Sequence, residues 1–410
     1  MKLLLAHNHY RQSGGEDEVF LRESELLRSA GHEVLEYTGN NSEIVEDGIL
    51  SKVQLAAQTF WAADSAARLR SLLRRERPDL AHFHNTFPLI SPAAYYACQQ
   101  ERIPVVQSLH NARLMCPAAT FYREGRACQD CLGRVVPWPA VVHACYHNSH
   151  LQTAVVAGML AGHRVLGTWQ EQVDAYIVFT EFFRQKFIDG GLPRGKIFVK
   201  PHFLGTDPGM KREMGDYALF LGRFSPEKGV PTLLKAWRSL GHIPLQIAGA
   251  GPMERDVEQF TREHPAVRAL PYLCRKECFD LIKKARFLVF PSEACGETFG
   301  LVVIEAFACG TPVIAARTGA VTEIVGDHKT GLHFTPGDAD DLAAKVKWAW
   351  THHHEVDEMG KAARAEYRSK YTAENNYEAL LGIYRRALER RSSLMKKSPA
   401  VHGLMQRYRA

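Results

Sequence analysis

The sequence predicts an α/β protein made of two doubly wound parallel-sheet domains that face each other across a cleft. Three observations predict it. At 410 residues the chain is too long for one ordinary domain and fits two of roughly 200 each. Apolar runs of strand length alternate with helical segments in both halves, which implies right-handed crossovers and parallel sheets. Between the halves, the stretch 196–208 is interrupted by Pro201, Gly205 and Pro208 and reads as a linker.

In order along the chain, Lys2–His7 is an apolar strand that ends in a polar, glycine-containing loop. Asp17–Ala30 has helical spacing and stops at Gly31, a residue that terminates helices well. Glu33–Tyr37, Leu80–His84 and Val105–His110 follow as strands. The second series comprises the strand Ala218–Leu221, the helix Val230–Ser239 and the strands Pro244–Ala248, Arg286–Pro291 and Val313–Ala315. Gly300–Cys309 is a helix between the last two, and Thr372–Arg391 is a final amphipathic helix. His352, His353 and His354 read as an exposed loop rather than a metal site. In parallel sheets ligands bind beyond the carboxyl ends of strands, so the polar residues there are the candidates for function.

With 46% apolar and 23% charged residues the chain can bury sizeable cores, and no apolar run approaches the ~20 residues of a membrane-spanning helix. The start, Met1 to His7, has too short an apolar stretch for a signal peptide, and nine cysteines argue against a disulfide framework, so a cytoplasmic setting is expected. The net charge of +6 is concentrated: from Tyr384 onward eight Lys/Arg stand against Glu389 alone, which leaves −1 for the rest. A nearly neutral body with a basic terminal arm argues against a nucleic-acid binder. The arm is a candidate for peripheral contact with anionic lipid or polysaccharide, as an alternative to a solvated helix end.

The strongest motif is Glu297-Thr298-Phe299-Gly300-Leu301-Val302-Val303-Ile304-Glu305, followed by Cys309-Gly310-Thr311-Pro312. Glu297 is expected in the loop before the helix and Glu305 on its second turn. Carboxylates accept hydrogen bonds from hydroxyls, and this separation suits a ligand with sugars at both ends. Favourable acids near a helix start explain Glu297 but not Glu305 within an apolar run. Second, Gly222-Arg223-Phe224-Ser225-Pro226-Glu227-Lys228-Gly229 directly follows a strand, where Arg223 can fork onto phosphate oxygens and Lys228 adds a point charge. Third, Gly249-Ala250-Gly251-Pro252 lacks the last glycine of a dinucleotide fingerprint but suits a close-approach turn beside a nucleotide. In the first half, Ser13-Gly14-Gly15-Glu16 joins the first strand to its helix and lets backbone N–H groups approach an anion, or is a plain tight turn. His110 ends one strand, with His82 and His84 ending a neighbour.

Taken together these residues resemble the family 4 retaining glycosyltransferases, whose architecture (GT-B) is two facing Rossmann-like domains. The resemblance rests on Gly222–Gly229, Gly249–Pro252, the Glu297…Glu305 pair and Cys309–Ile314, with support from Gly14-Gly15 and His110. It implies an acceptor-binding domain over 1–200 and a nucleotide-sugar-binding domain over 201–371. The helix and basic tail of 372–410 would cross back to the first domain. Arg223 and Lys228 would hold the diphosphate of the donor, Glu305 its ribose and Glu297 the transferred sugar. Backbone groups around Phe299, Gly300 and Leu301 would approach the diphosphate, and Tyr272 and Leu273 the base. Gly249 and Gly251 would lie beside the nucleotide. Gly14 and Gly15 would line the reaction centre, with His110 near the anomeric carbon. The implied reaction moves a hexosyl or N-acetylhexosaminyl group, with UDP the favoured carrier, to a saccharide or lipid-linked hydroxyl. A nucleotide-sugar epimerase of the same architecture and a non-catalytic binding protein are the alternatives.

No catalytic metal is expected. Asp338-Ala339-Asp340 fits a metal-binding pattern superficially, but Asp338 with Asp341 reads as a helix cap. A departure from the family pattern is an insertion over about 112–150, in which Cys116, Cys128, Cys131 and Cys145 are spaced C-x11-C-x2-C-x13-C. The middle pair has zinc-knuckle separation, so a structural zinc on four thiolates, with His143 or His147 as a substitute ligand, is the expectation set against ordinary free cysteines.

Overall fold

A computed structural model describes residues 1–11, 14–44 and 48–397. The first sheet contains β1 (Lys2–His9), β2 (Glu33–Asn40), β3 (Leu80–Asn85), β4 (Val105–Ser108), β7 (Ala175–Val178) and β8 (Ile197–Val199), in the order β2-β1-β3-β4-β7-β8. A two-stranded antiparallel hairpin, β5 (Tyr122–Arg123) with β6 (Arg126–Ala127), stands apart. The second sheet contains β9 (Tyr217–Leu221), β10 (Leu245–Ala248), β11 (Val267–Leu270), β12 (Ala285–Phe290), β13 (Val313–Ala316) and β14 (Gly331–Phe334), in the order β11-β10-β9-β12-β13-β14. Every pairing in both six-stranded sheets is parallel. Renumbered within itself the second sheet runs 3-2-1-4-5-6, the dinucleotide-domain order, and the first runs 2-1-3-4-5-6. The topological switch points therefore fall between β9 and β12 and between β1 and β3, where connections leave in opposite directions and open a crevice.

Most strands are near-continuous apolar runs because helices cover both faces; β3, β4, β7 and β13 are buried along their whole length. The two domains share one continuous apolar cluster, in which Phe20 and Phe179 of the first meet Phe299 and Phe307 of the second. The final helix, Ala373–Lys397, buries Leu380, Ile383, Tyr384 and Ala387 in the same cluster. Its Tyr384 hydroxyl reaches His82 Nδ1 at 2.9 Å, and Asn376 donates to the carbonyl of Pro201 at 2.7 Å, so it crosses back to the first domain.

Three expectations need correction. Strand β4 ends at Ser108, not His110, because Leu109 N–H makes the last bond to Ile177 O and the chain then turns away. His82 is not at a strand end: it is fully buried inside β3, hydrogen-bonded to Ser108 Oγ at 2.8 Å. His352 is the joint between the helices Ala339–Thr351 and His353–Lys370, and stacks on Trp348 with ring centroids 4.3 Å apart. His353 and His354 begin the second helix rather than occupy a loop. The basic-arm side chains of Lys396, Lys397, Arg407 and Arg409, and Ser13 of the glycine loop, lie outside the described residues.

Candidate active site in the interdomain cleft

On the second domain's wall, the loop after β9 is shaped by backbone-to-backbone packing. Phe224 N–H donates to Ala250 O at 2.9 Å and Met253 N–H to Phe224 O at 3.0 Å, which locks the Gly249–Pro252 turn onto it. A Cβ on Gly249 would fall 2.0 Å from Gly222 O, and one on Gly251 2.5 Å from Phe224 O. These glycines thus shape the Arg223 loop itself. Arg223 is exposed, and among the described residues its guanidinium has no partner. Lys228 Nζ is ion-paired with Glu297, both side chains remaining partly accessible. Glu297 lies in the loop and Glu305 on the second turn of the helix Leu301–Ala308, whose preceding residue Gly300 has φ +84°. That left-handed value favours glycine, and it aims the helix N-terminus into the crevice beside Lys228's partner.

The first domain closes on this wall at three points. The helix after β1, Gly15–Ser29, brings Arg22 to within 3.5 Å of Glu305, and Arg22 also bonds Glu18 and the Phe203 carbonyl. Arg275 Nη1 stands 3.7 Å from Glu18, so two arginines and two glutamates meet across the domain boundary. Burial raises the pKa of Glu305, a shift that Arg22 and Arg275 oppose. A Cβ on Gly15 would come 3.1 Å from Leu301 Cδ1, which explains a small residue there by proximity, since Gly14 has an ordinary extended φ of −137°. Thr298 Oγ1 donates to the His110 carbonyl at 2.8 Å, and a Cβ on Gly296 would collide with Thr120 O of the insertion at 2.1 Å.

Behind these contacts the first domain holds a buried polar network. His110 Nε2 lies 3.1 Å from His84 Nδ1, and the His110 ring stacks near Phe179 and His202. Burial, reinforced by neighbouring cations, pushes His84, His110 and His202 well below the ordinary histidine pKa, so each is neutral at pH 7. His84 Nε2 stands 3.4 Å from Glu23, whose carboxylate is held by fully buried Lys200, which also donates to Asn376 at 3.1 Å. Nearer the mouth, His7 Nε2 and His9 Nδ1 each approach Asp17 Oδ1 at 3.0 Å, and Gly14 N–H donates to Asp17 Oδ2 at 2.9 Å. Burial works against ionisation of Asp17, yet these hydrogen bonds hold its pKa down to about 2. Half-buried Glu16 accepts from Asn111 at 2.8 Å and from Tyr10 at 2.9 Å; burial raises its pKa.

The remaining expected positions are spread more widely. Tyr272 is 79% exposed and Leu273 partly buried, just before the helix Arg275–Lys284. Asp338 is the N-cap of Ala339–Thr351, accepting from the N–H groups of Asp340 and Asp341 at 3.0 Å, so its carboxylate serves the helix. Among the described residues, two groups bring three ligand-type atoms within 4.8 Å: His7, His9, Asp17 and Glu23, His82, His84. No three of the four insertion thiols are that close. Burial first, then neighbouring thiolates, raise Cys131 to about 11, and Cys145 is raised for the same reasons. Sequence reasoning missed Arg22, Glu23, Lys200, Asp17 and Glu16. Four of them lie on the helix after the glycine loop, where an acid-rich first turn reads as ordinary favourable charge at a helix start.

Two doubly wound domains that face each other, with exposed or exchangeable cations on the wall of the second, define the two-domain GT-B architecture. The description "Glycosyltransferase Family 4" matches residues 13–207 and "Glycosyl transferases group 1" matches 208–366. The chain belongs to the family 4 glycosyltransferases of GT-B architecture. It is 34% identical over 313 residues to the sulfoquinovosyl transferase of Arabidopsis thaliana, covering 73% of this chain and 55% of that protein. The chain spans about half the length of the curated relatives it matches. In fold it resembles the sucrose-phosphate synthase of Thermosynechococcus elongatus, with TM-score 0.67, 18% identity and coverage of 94% and 99% of the two chains. It likewise resembles Anabaena HepE, solved with UDP and glucose, with TM-score 0.64, 16% identity and coverage of 92% and 98%.

Proposed function

We propose that the protein transfers a hexosyl or N-acetylhexosaminyl group from a nucleoside-diphosphate sugar, UDP-linked, to a hydroxyl of a saccharide or lipid-linked acceptor, with retention at the anomeric carbon. The observation that carries the reading is the wall formed by unpaired Arg223, the Lys228–Glu297 ion pair and Glu305 around the N-terminus of Leu301–Ala308. Breaking the bond to diphosphate places negative charge on the leaving oxygens. Once the donor is bound, Arg223, Lys228 and the helix N–H groups would already face those oxygens, so little reorganisation would accompany the step. Lys228 would exchange Glu297 for phosphate, freeing that carboxylate to accept hydroxyls of the transferred sugar. Glu305 would take the ribose hydroxyls. The sugar becomes oxocarbenium-like, and the acceptor attacks from the leaving-group face, giving up its proton to the departing phosphate. Neutral His110 borders the reaction centre without adding a charge that repels the cationic sugar. With two side-chain cations on the diphosphate, no step calls for a metal. The sulfoquinovosyl transferase relationship and the UDP complex of HepE support the substrate class.

Incubation with UDP-, GDP- and ADP-sugars, with melting temperature as readout, selects the donor, because a ligand bound only by the folded state raises apparent stability. Release of free nucleoside diphosphate with an acceptor glycoside of unchanged anomeric configuration is the expected outcome. A sugar isomer still attached to nucleotide would instead identify an epimerase. The reading also includes a structural zinc drawing together Cys116, Cys128, Cys131 and Cys145 in an insertion whose regular structure is a two-stranded hairpin and the five-residue helix Trp138–Val142. Elemental analysis of the purified chain should find about one zinc per molecule; a metal-free protein of unchanged melting temperature under chelation removes that part.

A further inference from the structure

We infer that Lys200, Glu23 and His84 are positioning residues: they fix the tautomer of His110 so that its Nδ1 is a bare acceptor, which takes a hydrogen bond from a hydroxyl of the transferred sugar. The inference rests on the transfer reading proposed above and gives the buried network of the first domain its part in that reaction.

The chain of contacts begins in the core. Lys200, just after β8, is fully buried; its ammonium is ion-paired with Glu23 Oε1 and donates to Asn376 Oδ1 at 3.1 Å. A protonated Glu23 would strand that ammonium, so Glu23 is a carboxylate and can only accept. Its second oxygen, Oε2, has no hydrogen-bond partner, and neither has His84 Nε2, although both are sealed from solvent. The two orphaned atoms stand 3.4 Å apart, a little beyond an ordinary N–H···O bond. A proton on His84 Nε2 satisfies both, whereas a proton on Nδ1 would leave a carboxylate oxygen facing a lone pair. The hydrogen-bond network thus assigns the tautomer.

The assignment then propagates. Burial holds the pKa of His84 well below the ordinary value, so its ring is neutral at pH 7 and a proton on Nε2 leaves Nδ1 bare. His110 Nε2 lies 3.1 Å from that bare atom and donates to it. Burial keeps His110 neutral as well, so its own Nδ1 retains a lone pair. Among the described residues no group bonds to this nitrogen, and unlike Nδ1 of His7 and His202 it is not sealed in the interior. Neighbouring His82 imposes no polarity, since its partners, the Tyr384 and Ser108 hydroxyls, can each donate or accept. A metal ion does not fit among Glu23, His82 and His84, because the Lys200 ammonium already sits on that carboxylate.

Thr298, which donates to the His110 carbonyl at 2.8 Å, is the neighbour of Glu297, the carboxylate assigned to the transferred sugar. A sugar seated at Glu297 therefore lies beside His110. As its ring becomes oxocarbenium-like, its hydroxyls become stronger donors, and a bond to bare Nδ1 tightens in the transition state. An N–H at that position would present the positive end of the imidazole dipole to the developing charge.

The test reads the tautomers directly, by proton–nitrogen correlation spectra of the full chain labelled in its histidine rings, with His110→Gln assigning the resonances. Wild-type His110 should be protonated on Nε2 alone. Lys200→Met by itself strands Glu23, but Glu23→Met/Lys200→Met removes both charges and leaves apolar side chains of similar size, a change that buried ion pairs often tolerate. Without the carboxylate, a proton on His84 Nε2 is an orphaned buried donor, so both rings should move their protons wholly or partly to Nδ1. His84→Met breaks the chain one link later and should move the His110 proton in the same way. In either folded variant kcat should fall about tenfold or more, the worth of one hydrogen bond to the reacting sugar, with donor KM within about twofold of the wild type. The inference is overturned if wild-type His110 carries its proton on Nδ1, if a folded variant keeps the wild-type tautomer, or if the tautomer changes while kcat does not. The wild-type spectrum decides the first point whether or not the variants fold. Release of no nucleoside diphosphate from any donor by the wild type would instead sink the transfer reading, leaving the tautomers, read without substrate, to stand on their own.

Discussion

The two walls of the cleft are built on opposite principles. On the first domain the polar groups are buried and bonded to one another: His110 to His84, Glu23 to Lys200, Asp17 to His7 and His9. On the second, Arg223 is exposed and the Lys228–Glu297 pair remains partly open to water. One wall is fixed when the chain folds, because its partners cannot leave without stranding a buried charge. The other holds its charges in pairs that a ligand can exchange. Damage to the first should therefore register as lost stability, and damage to the second as lost activity.

The largest expected effect breaks the first wall. Lys200→Met leaves Glu23 as an uncompensated buried carboxylate, and truncating one member of such a pair costs ~3–5 kcal/mol of folding stability. Chemical denaturation read by circular dichroism measures it. A loss below ~1 kcal/mol would mean that water or another group replaces the ammonium, and the contrast between the walls would weaken. Arg223→Ala comes next. It should lower kcat about 10²–10³-fold with little change in donor KM, since its proposed role is to meet the charge developing on the diphosphate, and should leave the melting temperature near that of the wild type. Wild-type turnover in steady-state assays would remove Arg223 from the site.

The same contrast explains what could be read from the sequence. The second wall is assembled from short contiguous segments, 222–229, 249–252 and 297–305, because each strand-to-helix loop presents its residues at the strand end. Spacing alone placed Glu297 in the loop and Glu305 on the second helical turn, as found. The first wall is assembled from β1, β3 and β4 and from the final helix, which bring residues 26 to 302 positions apart into hydrogen-bond range. Glu23 reads as one more acid on an amphipathic helix until Lys200 and His84 are placed against it. His82 looked equivalent to His84 because both lie on β3, two residues apart and so on one face of the strand. Only the packing of Tyr384 from the last helix shows that His82 serves the core.

A third expected effect concerns the Arg22–Glu305 contact, one of those that join the walls. Glu305→Ala removes the carboxylate assigned to the ribose and frees Arg22, so affinity for the nucleoside diphosphate should fall ~10–100-fold, the worth of one or two hydrogen bonds to a charged group. Calorimetric titration with the nucleotide alone isolates this from turnover. Unchanged affinity would show that Arg22 and Glu305 merely hold the domains together.

The smallest effect separates the walls by pH. Burial depresses His82 to about 4, whereas the unfolded chain takes up the proton near the ordinary 6.5. Its contribution to stability is therefore complete above pH 6.5, declines as the pH falls toward about 4, and is constant below that. At pH 5.5 the loss from His82 is ~1 kcal/mol, and the similarly depressed His84, His110 and His202 add to it. Asp17 acts in the same sense but in a lower window: its contribution is present above the usual carboxylate range and lost as the pH falls through about 2, so it takes no part between pH 7 and 5.5. The melting temperature should drop by a few degrees between pH 7 and 5.5, and His82→Gln should flatten that slope. A slope unaltered by this substitution would assign the acid sensitivity to groups outside the first domain's core.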